Sequence, residues 1–263
     1  MPGEHLDPAK MPGHWLLARM GKRVLRPGGL ELTRKMLAEL KIGTRDDVVE
    51  FAPGLGLTAR LALSSQPLSY TAIERDETAA TLVRSYLSGP RQKCQQGSAE
   101  KTGLQSATAS VVYGEAMLTM QGNEQKAAIV GEAFRLLKPG GRYGIHELAL
   151  TPDDLPEAVK SDLSQAISGT IRHGARPLTI AEWKTILQSA GFSIENIEIA
   201  PMHLLEPRRI IADEGFFRAL KFIFNVLTTP AARNRVRSMR VVFRKHGRHL
   251  GAVMIVASKP FSS

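Results

Sequence analysis

The sequence predicts an α/β protein built on a doubly wound, mostly parallel sheet of seven strands. Two observations support this fold class. From Asp46 onward, short apolar segments alternate with segments of helical periodicity, the order expected where helices connect parallel strands. The first strand runs into a turn that contains Gly54 and Gly56 and then into a helix. Open α/β sheets bind their ligands at turns of this kind, at the carboxyl ends of the strands.

The predicted elements follow in regular order. Strands are expected at 47–52, 69–74, 93–96, 109–114, 142–148, 192–200 and 250–258. Helices are expected at 57–65, 77–87 and 123–137, and a sharp turn at 138–141 should separate the last of these from the fifth strand. Thr179 and Glu182 form a capping box that opens a later helix.

Composition narrows the class of protein. The chain has 263 residues, of which 43% are hydrophobic, enough for one large α/β domain with additions. Its one cysteine, Cys94, excludes an intrachain disulfide and any multi-cysteine metal site. No apolar run reaches the length of a membrane span, and the start lacks the pattern of a secretion signal. We therefore expect a cytoplasmic protein.

The first glycine turn permits several ligands. Gly54-x-Gly56-x-x-Ala59, with Glu74 about twenty residues on, satisfies the pattern of NAD-dependent dehydrogenases. A turn without a ligand is the simpler alternative. Glu50, at the end of the strand, argues against NAD, because a carboxylate beside the pyrophosphate would repel it. It suits a ligand that carries a positive charge at this point.

Glu50-x-Ala52-x-Gly54-x-Gly56 resembles the first motif of the Rossmann-like S-adenosylmethionine-dependent methyltransferases. The likeness extends over roughly residues 46–150 and includes the Leu-Lys-Pro-Gly-Gly segment at 137–141, with the later segments nearest to the ubiquinone- and menaquinone-biosynthesis type. The family usually has a glycine where this chain has Ala52, so we expect an ordinary negative φ there. The resemblance also implies that the seventh strand is antiparallel and lies between the fifth and sixth.

The resemblance implies a division of the chain. Residues 1–45 should form an N-terminal arm and a helical cover over the cofactor pocket, and residues 46–263 the methyltransferase domain. Within that domain, 151–190 and 204–248 should be helical insertions around the pocket of the methyl acceptor.

The resemblance also implies a set of cofactor contacts. Glu50 should hold the amino-acid end of S-adenosylmethionine, and Glu74 the ribose. A loop after the third strand should cover the adenine, but either Ser98 or Glu100 matches the family's adenine-binding residue, and a helix N-cap explains the loop equally well. The predicted cofactor residues are Glu50, Ala52, Gly54, Gly56, Glu74, Arg75, Ser98, Ala99 and Glu100.

Two residues are candidates for catalysis. Glu115 follows the fourth strand, where an acid could take a proton from the acceptor or stabilise the sulfonium. His146 ends the fifth strand at the same edge and is a candidate base. A capping acid and a packed histidine are the structural alternatives.

Three residues are candidates for acceptor binding. Trp15 and Met20 lie in the first N-terminal helix, and His173 lies in a loop that could enter the pocket. Trp15 and Met20 could equally pack on the sheet edge. We expect a small acceptor, apolar or aromatic. The alternatives are a non-catalytic S-adenosylmethionine-binding module that docks on membrane or RNA, and an NAD-dependent dehydrogenase.

The net charge of +10 belongs to the last part of the chain. Residues 207–263 hold 12 basic and 2 acidic residues, whereas residues 1–206 hold 23 of each. A Phe-rich helix predicted at 214–227 is apolar nearly all round, so it should be buried, line the acceptor pocket or lie on a bilayer. Arg233, Arg237, Arg240 and Arg244 form a stripe on the next helix. That stripe is a solvated face, a contact for anionic lipid, or, least favoured, a nucleic-acid contact.

Overall fold

The computed structural model describes residues 6–261. The strands are β1 Asp47–Phe51, β2 Ser69–Glu74, β3 Gln92–Gln96, β4 Ala109–Glu115, β5 Leu137–Leu150, β6 Leu178–Thr179, β7 Ser193–Pro201 and β8 Leu250–Ser258. The helices are α1 Gly13–Arg19, α2 Gly29–Leu40, α3 Leu57–Leu63, α4 Glu77–Arg84, α5 Asn123–Leu136, α6 Glu157–Ile171, α7 Ile180–Ser189, α8 Pro207–Glu214, α9 Phe216–Thr228 and α10 Pro230–Lys245.

The sheet has the predicted topology. Its order is β3-β2-β1-β4-β5-β8-β7, and the first five strands of that order are parallel. β8 is antiparallel to both β5 and β7 and lies between them, as expected for the seventh predicted strand. The two-residue β6, which was not predicted, pairs with the end of β5. The prediction of a Rossmann-like methyltransferase fold is confirmed.

One predicted turn is wrong in detail. β5 begins directly after α5, at Leu137, so the segment 138–141 lies within the strand instead of preceding it. The register with β4 shifts there, because Ala109 pairs with Leu137 and Val111 with Arg142. The extra residues bulge out of the ladder, and Gly140 accommodates the bulge with a φ of +75°.

The sheet is buried on both faces. In β8, Val253 and Ile255 pack into the core on the side of α5 and α7, whereas Met254 and Val256 pack on the side of α2, α3 and α4. Trp183 of α7 is fully buried, and its indole Nε1 donates to the Leu148 carbonyl at 3.1 Å. The apolar strands of the sequence therefore follow from burial on two faces.

The N-terminal segment and the last three helices form a further core with α6, which we call the tail core. Two buried acids of the tail hold the loop before α2. Glu214 Oε1 accepts from the Arg23 and Val24 amides at 2.6 and 2.8 Å, and Asp213 Oδ1 accepts from the Leu30 amide at 2.9 Å. Lys22, fully buried, lies 3.7 and 3.9 Å from the two carboxylates. The tail therefore fixes a loop that is distant in sequence.

The predicted division at residue 45 remains a prediction, although α2 packs on β5 and β8 and shares their core. No helix within residues 6–261 combines the length and the apolar character that crossing a membrane requires.

Glu214→Ala should destabilise the protein by about 3 kcal/mol. The substitution removes a buried partner of Lys22 and the acceptor of two buried amides, and unpairing buried charges costs this much. Chemical denaturation monitored by tryptophan fluorescence measures the change. Glu157→Ala is the matched control, because that side chain is 86% exposed and also pairs with a lysine. Equal losses in the two variants would contradict the structural role of the tail acids.

Candidate active site

A cleft of about 250 Å³ opens at the carboxyl ends of β1, β2 and β4. This is where the strand order reverses between β1 and β4, the usual ligand site of a doubly wound sheet. The turn after β1, the end of β2, the loop after β3 and the N-terminal segment line it.

The backbone of the turn after β1 differs from the prediction at Ala52. Ala52 has a φ of +51°, so the expectation of a negative φ is wrong. The Ala52 amide donates to the Ile73 carbonyl at 2.8 Å, and this bond keeps the chain beside β2 while it turns. An alanine in the left-handed region of φ costs about 1 kcal/mol relative to glycine. Ala52 also borders the cleft.

The two motif glycines have different roles. A Cβ added to Gly54 would meet no atom within 4 Å, so this residue faces open space in the cleft. A Cβ added to Gly56 would lie 1.2 Å from the Tyr86 hydroxyl, which donates to the Leu55 carbonyl at 3.1 Å. Gly54 is therefore placed for close approach of a ligand. Gly56 makes room for Tyr86 and lies outside the cleft lining.

Glu50 is a buried carboxylate that borders the cleft. The hydroxyls of Tyr70 and Tyr113 both donate to its Oε2, the latter at 2.7 Å. Within residues 6–261 the carboxylate has no cation in contact and no donor on Oε1. Burial raises its pKa to about 7, against the opposing effect of the tyrosine hydrogen bonds. A positively charged ligand in the cleft would favour the ionised form.

The other predicted cofactor residues are mostly at the cleft. Glu74 accepts from the amides of Gly54 and Asp76, each at 3.0 Å, and burial raises its pKa. Arg75 borders the opening. Ser98 and Ala99 line the cleft, whereas Glu100 lies outside the lining and its amide donates to the Ser98 hydroxyl at 3.3 Å. The placement favours Ser98 over Glu100.

Glu115 lies at the cleft, but other protein groups already donate hydrogen bonds to both of its carboxylate oxygens. Arg26 and Thr58 donate to its Oε2, the latter at 2.5 Å, and Thr33 donates to Oε1 at 2.6 Å. Burial alone would raise its pKa, but Arg26, His146 and Thr33 outweigh burial and bring the pKa to about 2. A carboxylate in this state is a poor proton acceptor near neutral pH. The geometry therefore favours electrostatic support over the base role.

His146 is fully buried behind Glu115 and lies outside the cleft lining. Its Nδ1 is 2.8 Å from Glu115 Oε1, and its Nε2 is 2.6 Å from the Pro27 carbonyl. Both ring nitrogens face acceptors, so the ring links β5 to the loop before α2. The structure does not bring this histidine to the cleft.

The N-terminal segment supplies residues that sequence reasoning missed. His14 lies in the cleft beside the predicted Trp15 and His173, with ring centroids 4.6 and 5.9 Å away. Burial and His173 lower the His14 pKa to about 4. Arg26 also borders the cleft. Met20 instead packs into the tail core and lies outside the cleft lining.

A second cavity, small and apolar, adjoins the cleft. It has a volume of about 70 Å³ and shares His14, Leu25, Ala116 and Met120 with the cleft lining. Its remaining walls come from the N-terminal segment, α6, α10 and the segment before α8. We call it the apolar chamber; its other lining residues include Leu17, Ile167, Ile171, Met202, Leu204, Met239 and Phe243.

Comparison with known proteins identifies the family. Residues 48–141 match the family described as "Methyltransferase domain". An uncharacterized protein of Haemophilus influenzae is 33% identical over 234 residues, which cover 87% of this chain and 90% of the relative. The chain belongs to the methyltransferase-domain family.

Solved structures of similar fold differ in activity. Phosphoethanolamine N-methyltransferase 2 of Haemonchus contortus, in complex with S-adenosyl-L-methionine, has a TM-score of 0.70 at 16% identity, over 94% of this chain and 57% of that one. The [4+2]-cyclase SpnF has a TM-score of 0.69 at 15% identity, over 94% and 90%. At such identities the likeness shows the fold alone.

The family match covers only part of the cleft lining. Glu50, Gly54, Glu74, Ser98 and Glu115 all lie within residues 48–141. The N-terminal lining, His173 and most of the apolar chamber lie outside it. The matched segment therefore contains the predicted cofactor residues, and the parts of the chain outside it form the adjoining cavity.

Glu115→Gln should lower the free energy of unfolding by about 3 kcal/mol at neutral pH, because Arg26 loses the buried charge that neutralises it. The folded-state pKa of Glu115 is depressed, so this stabilisation is present above its usual pKa of 4.5 and is lost as the pH falls towards about 2. Thermal unfolding across that range measures the change.

Glu100→Gln is the matched control, since Glu100 lies outside the network. A Glu115→Gln protein that is as stable as wild type but inactive would instead favour the base role.

Proposed function

We propose that this methyltransferase uses S-adenosylmethionine as donor and methylates a small apolar or aromatic acceptor. The observation that carries the proposal is Glu50, a buried carboxylate at the cleft with two tyrosine donors on Oε2 and no cation in contact among residues 6–261. An α-ammonium or sulfonium group supplies the missing positive charge. The SAM-bound structural neighbour supports the same choice.

The residues of the cleft fit this donor. Gly54 leaves open space where a side chain would stand, and Glu50 supplies a free carboxylate oxygen beside it. Glu50, buried at this turn, disfavours the pyrophosphate of NAD there. When bound, S-adenosylmethionine supplies an activated methyl group. The protein then has to bind the donor and the acceptor, orient them and exclude water. Positioning of this kind accounts for about 7–11 kcal/mol of a reaction barrier.

The apolar chamber is the site proposed for the acceptor. It adjoins the cleft, and aliphatic and thioether side chains form most of its wall. Such a wall favours an apolar or aromatic body over a charged one. His14 and His173 lie near the junction of the two cavities. The low pKa of His14 keeps its ring neutral at neutral pH, so a ring nitrogen can accept a hydrogen bond from an acceptor hydroxyl or amine.

S-adenosylmethionine should bind about tenfold more tightly at pH 8 than at pH 6. The free Glu50 pKa is about 7, the bound cation needs the ionised carboxylate, and a proton is therefore released on binding. Isothermal titration calorimetry at the two pH values measures the effect. Glu50→Gln should bind at least about tenfold more weakly at pH 8 and lose most of the pH dependence.

Two controls accompany that measurement. Glu100→Gln, outside the cleft lining, should behave as wild type. Methylthioadenosine, which lacks the ammonium group, should bind wild type with little pH dependence. Tight binding of NADH without binding of S-adenosylmethionine would instead support the dehydrogenase alternative.

Ile171→Trp should fill the apolar chamber and reduce methyl transfer at least about tenfold, with donor affinity changed less than about threefold. The assay follows labelled methyl groups from S-adenosylmethionine into a panel of phenols and quinols. Gln165→Trp, exposed on the same helix, is the control. Donor binding without transfer to any compound, for wild type as well, would favour the non-catalytic binding module.

A further inference from the structure

We propose that α9 docks on the surface of an anionic lipid bilayer, with one apolar face inserted between the lipids. That face consists of the exposed large apolar residues of α9, which we call the α9 stripe. Its members are Phe216, Phe217, Leu220, Ile223, Phe224 and Leu227. Docking of this kind is a binding property, and it does not depend on methyl transfer.

The α9 stripe is continuous. At 100° per residue its six members fall within about one third of the helix circumference. Phe217 and Phe224, one above the other near its outer edge, are 84% and 66% exposed. The opposite side of α9, with Ala219, Phe222 and Val226, is buried in the tail core. The helix therefore anchors itself by one apolar face and presents a second one outward.

Exposure of this extent is unusual on a soluble surface. Single exposed apolar residues are ordinary, but a contiguous set of six marks an interaction site. Of the described large apolar residues that are exposed, six of eleven belong to this one helix. The sequence prediction of an all-round apolar helix is thus resolved, because one face is core and another is free surface.

The charge around the α9 stripe selects the partner. Residues 207–263 contain 12 basic and 2 acidic residues, and the two acids, Asp213 and Glu214, are buried. Lys221 borders the stripe on α9 itself, whereas Arg218 lies about 100° beyond its edge and 3.7 Å from Glu214. An apolar helix face flanked by basic residues matches the surface of a bilayer that contains anionic lipid.

The predicted arginine stripe contributes less than its sequence suggests. Arg240 lies 3.3 Å from Glu206 Oε2, and Arg244 donates to both oxygens of Glu206 at 2.7 and 2.8 Å. Arg233 and Arg237 of α10 are exposed. The structure therefore moves the main membrane contact from α10 to α9, with these two arginines as the remaining basic contribution of α10.

A second copy of the chain is a less favourable occupant. Pairing two α9 stripes about a twofold axis would bring Lys221 near its own copy, on proteins that each carry a net charge of +10. A bilayer with anionic headgroups offers an apolar interior and the opposite charge together. The complementarity of charge therefore favours the bilayer.

The position of α9 connects docking to the cleft. Arg218 Nη2 donates to the Gly21 carbonyl at 3.1 Å, and Asn225 Nδ2 donates to the Met20 carbonyl at 2.9 Å. Met20 and Gly21 lead directly into the loop that carries Arg23 and Arg26 of the cleft lining. A bilayer bound by α9 thus lies next to the segment that covers the site.

Cosedimentation of the full-length protein with vesicles tests the proposal. Vesicles of phosphatidylcholine with about one third phosphatidylglycerol should bind wild type at least about tenfold more tightly than pure phosphatidylcholine vesicles. Salt at about 1 M, where the Debye length is about 3 Å, should remove most of that difference. The double variant Phe217→Ser with Phe224→Ser should lose at least about tenfold in affinity for the anionic vesicles.

Ile199→Ser is the matched control, because Ile199 is 60% exposed on β7, away from α9; it should bind as wild type. Phe224→Trp adds a direct readout, since its fluorescence should shift to the blue on anionic vesicles and be quenched by brominated lipid. Unchanged vesicle binding by the double variant would overturn the proposal. A second outcome would also overturn it: wild type sediments as a dimer, the double variant sediments as a monomer, and both bind vesicles equally well.

Discussion

Three buried glutamates at one edge of the sheet determine how this site is built, and each is stabilised differently. Glu147, within β5, accepts from the amides of residues 117, 118 and 119 at 2.8–3.0 Å and so fixes the loop after β4. Glu115, at the end of β4, is neutralised by Arg26 and contacts His146. Glu50, within β1, has two tyrosines and no contacting cation among residues 6–261. Only the last of these carboxylates is left for a ligand to neutralise.

The same edge depends on the loop before α2, which β5 and α8 hold in place. The Pro27 carbonyl faces His146 of β5, and the amides of Arg23 and Val24 donate to Glu214 of α8. Arg26, between these anchors, reaches Glu115. The tail therefore acts on the cleft through the loop, although α8 lies outside its lining.

Local patterns were enough to predict the sheet and the position of the cleft. β-Branched strands, helical periodicity and turn glycines are short-range signals, and they located β1, β2 and β8 to within a residue. Roles that depend on distant neighbours were not predictable in this way. Gly56 is small because of Tyr86, thirty residues away, and the contacts of Glu115 come from Arg26 and His146 in two other parts of the chain. Nothing near His14 in the sequence indicates that His173 will lie beside it.

The division between matched and unmatched sequence has a physical meaning. The strands and turns of residues 48–141 surround the part of the cleft that a common donor would occupy, and their geometry follows from the sheet. The apolar chamber is built from α1, α6, α10 and the segment before α8, which pack on one another and on one end of β5 and β8. Helices joined by apolar packing can change the shape of a cavity without disturbing the hydrogen-bonded edge beside it. The proposed acceptor site and the proposed membrane surface thus belong to the same helical core, since α9, which carries the exposed stripe, packs into it through Ala219, Phe222 and Val226.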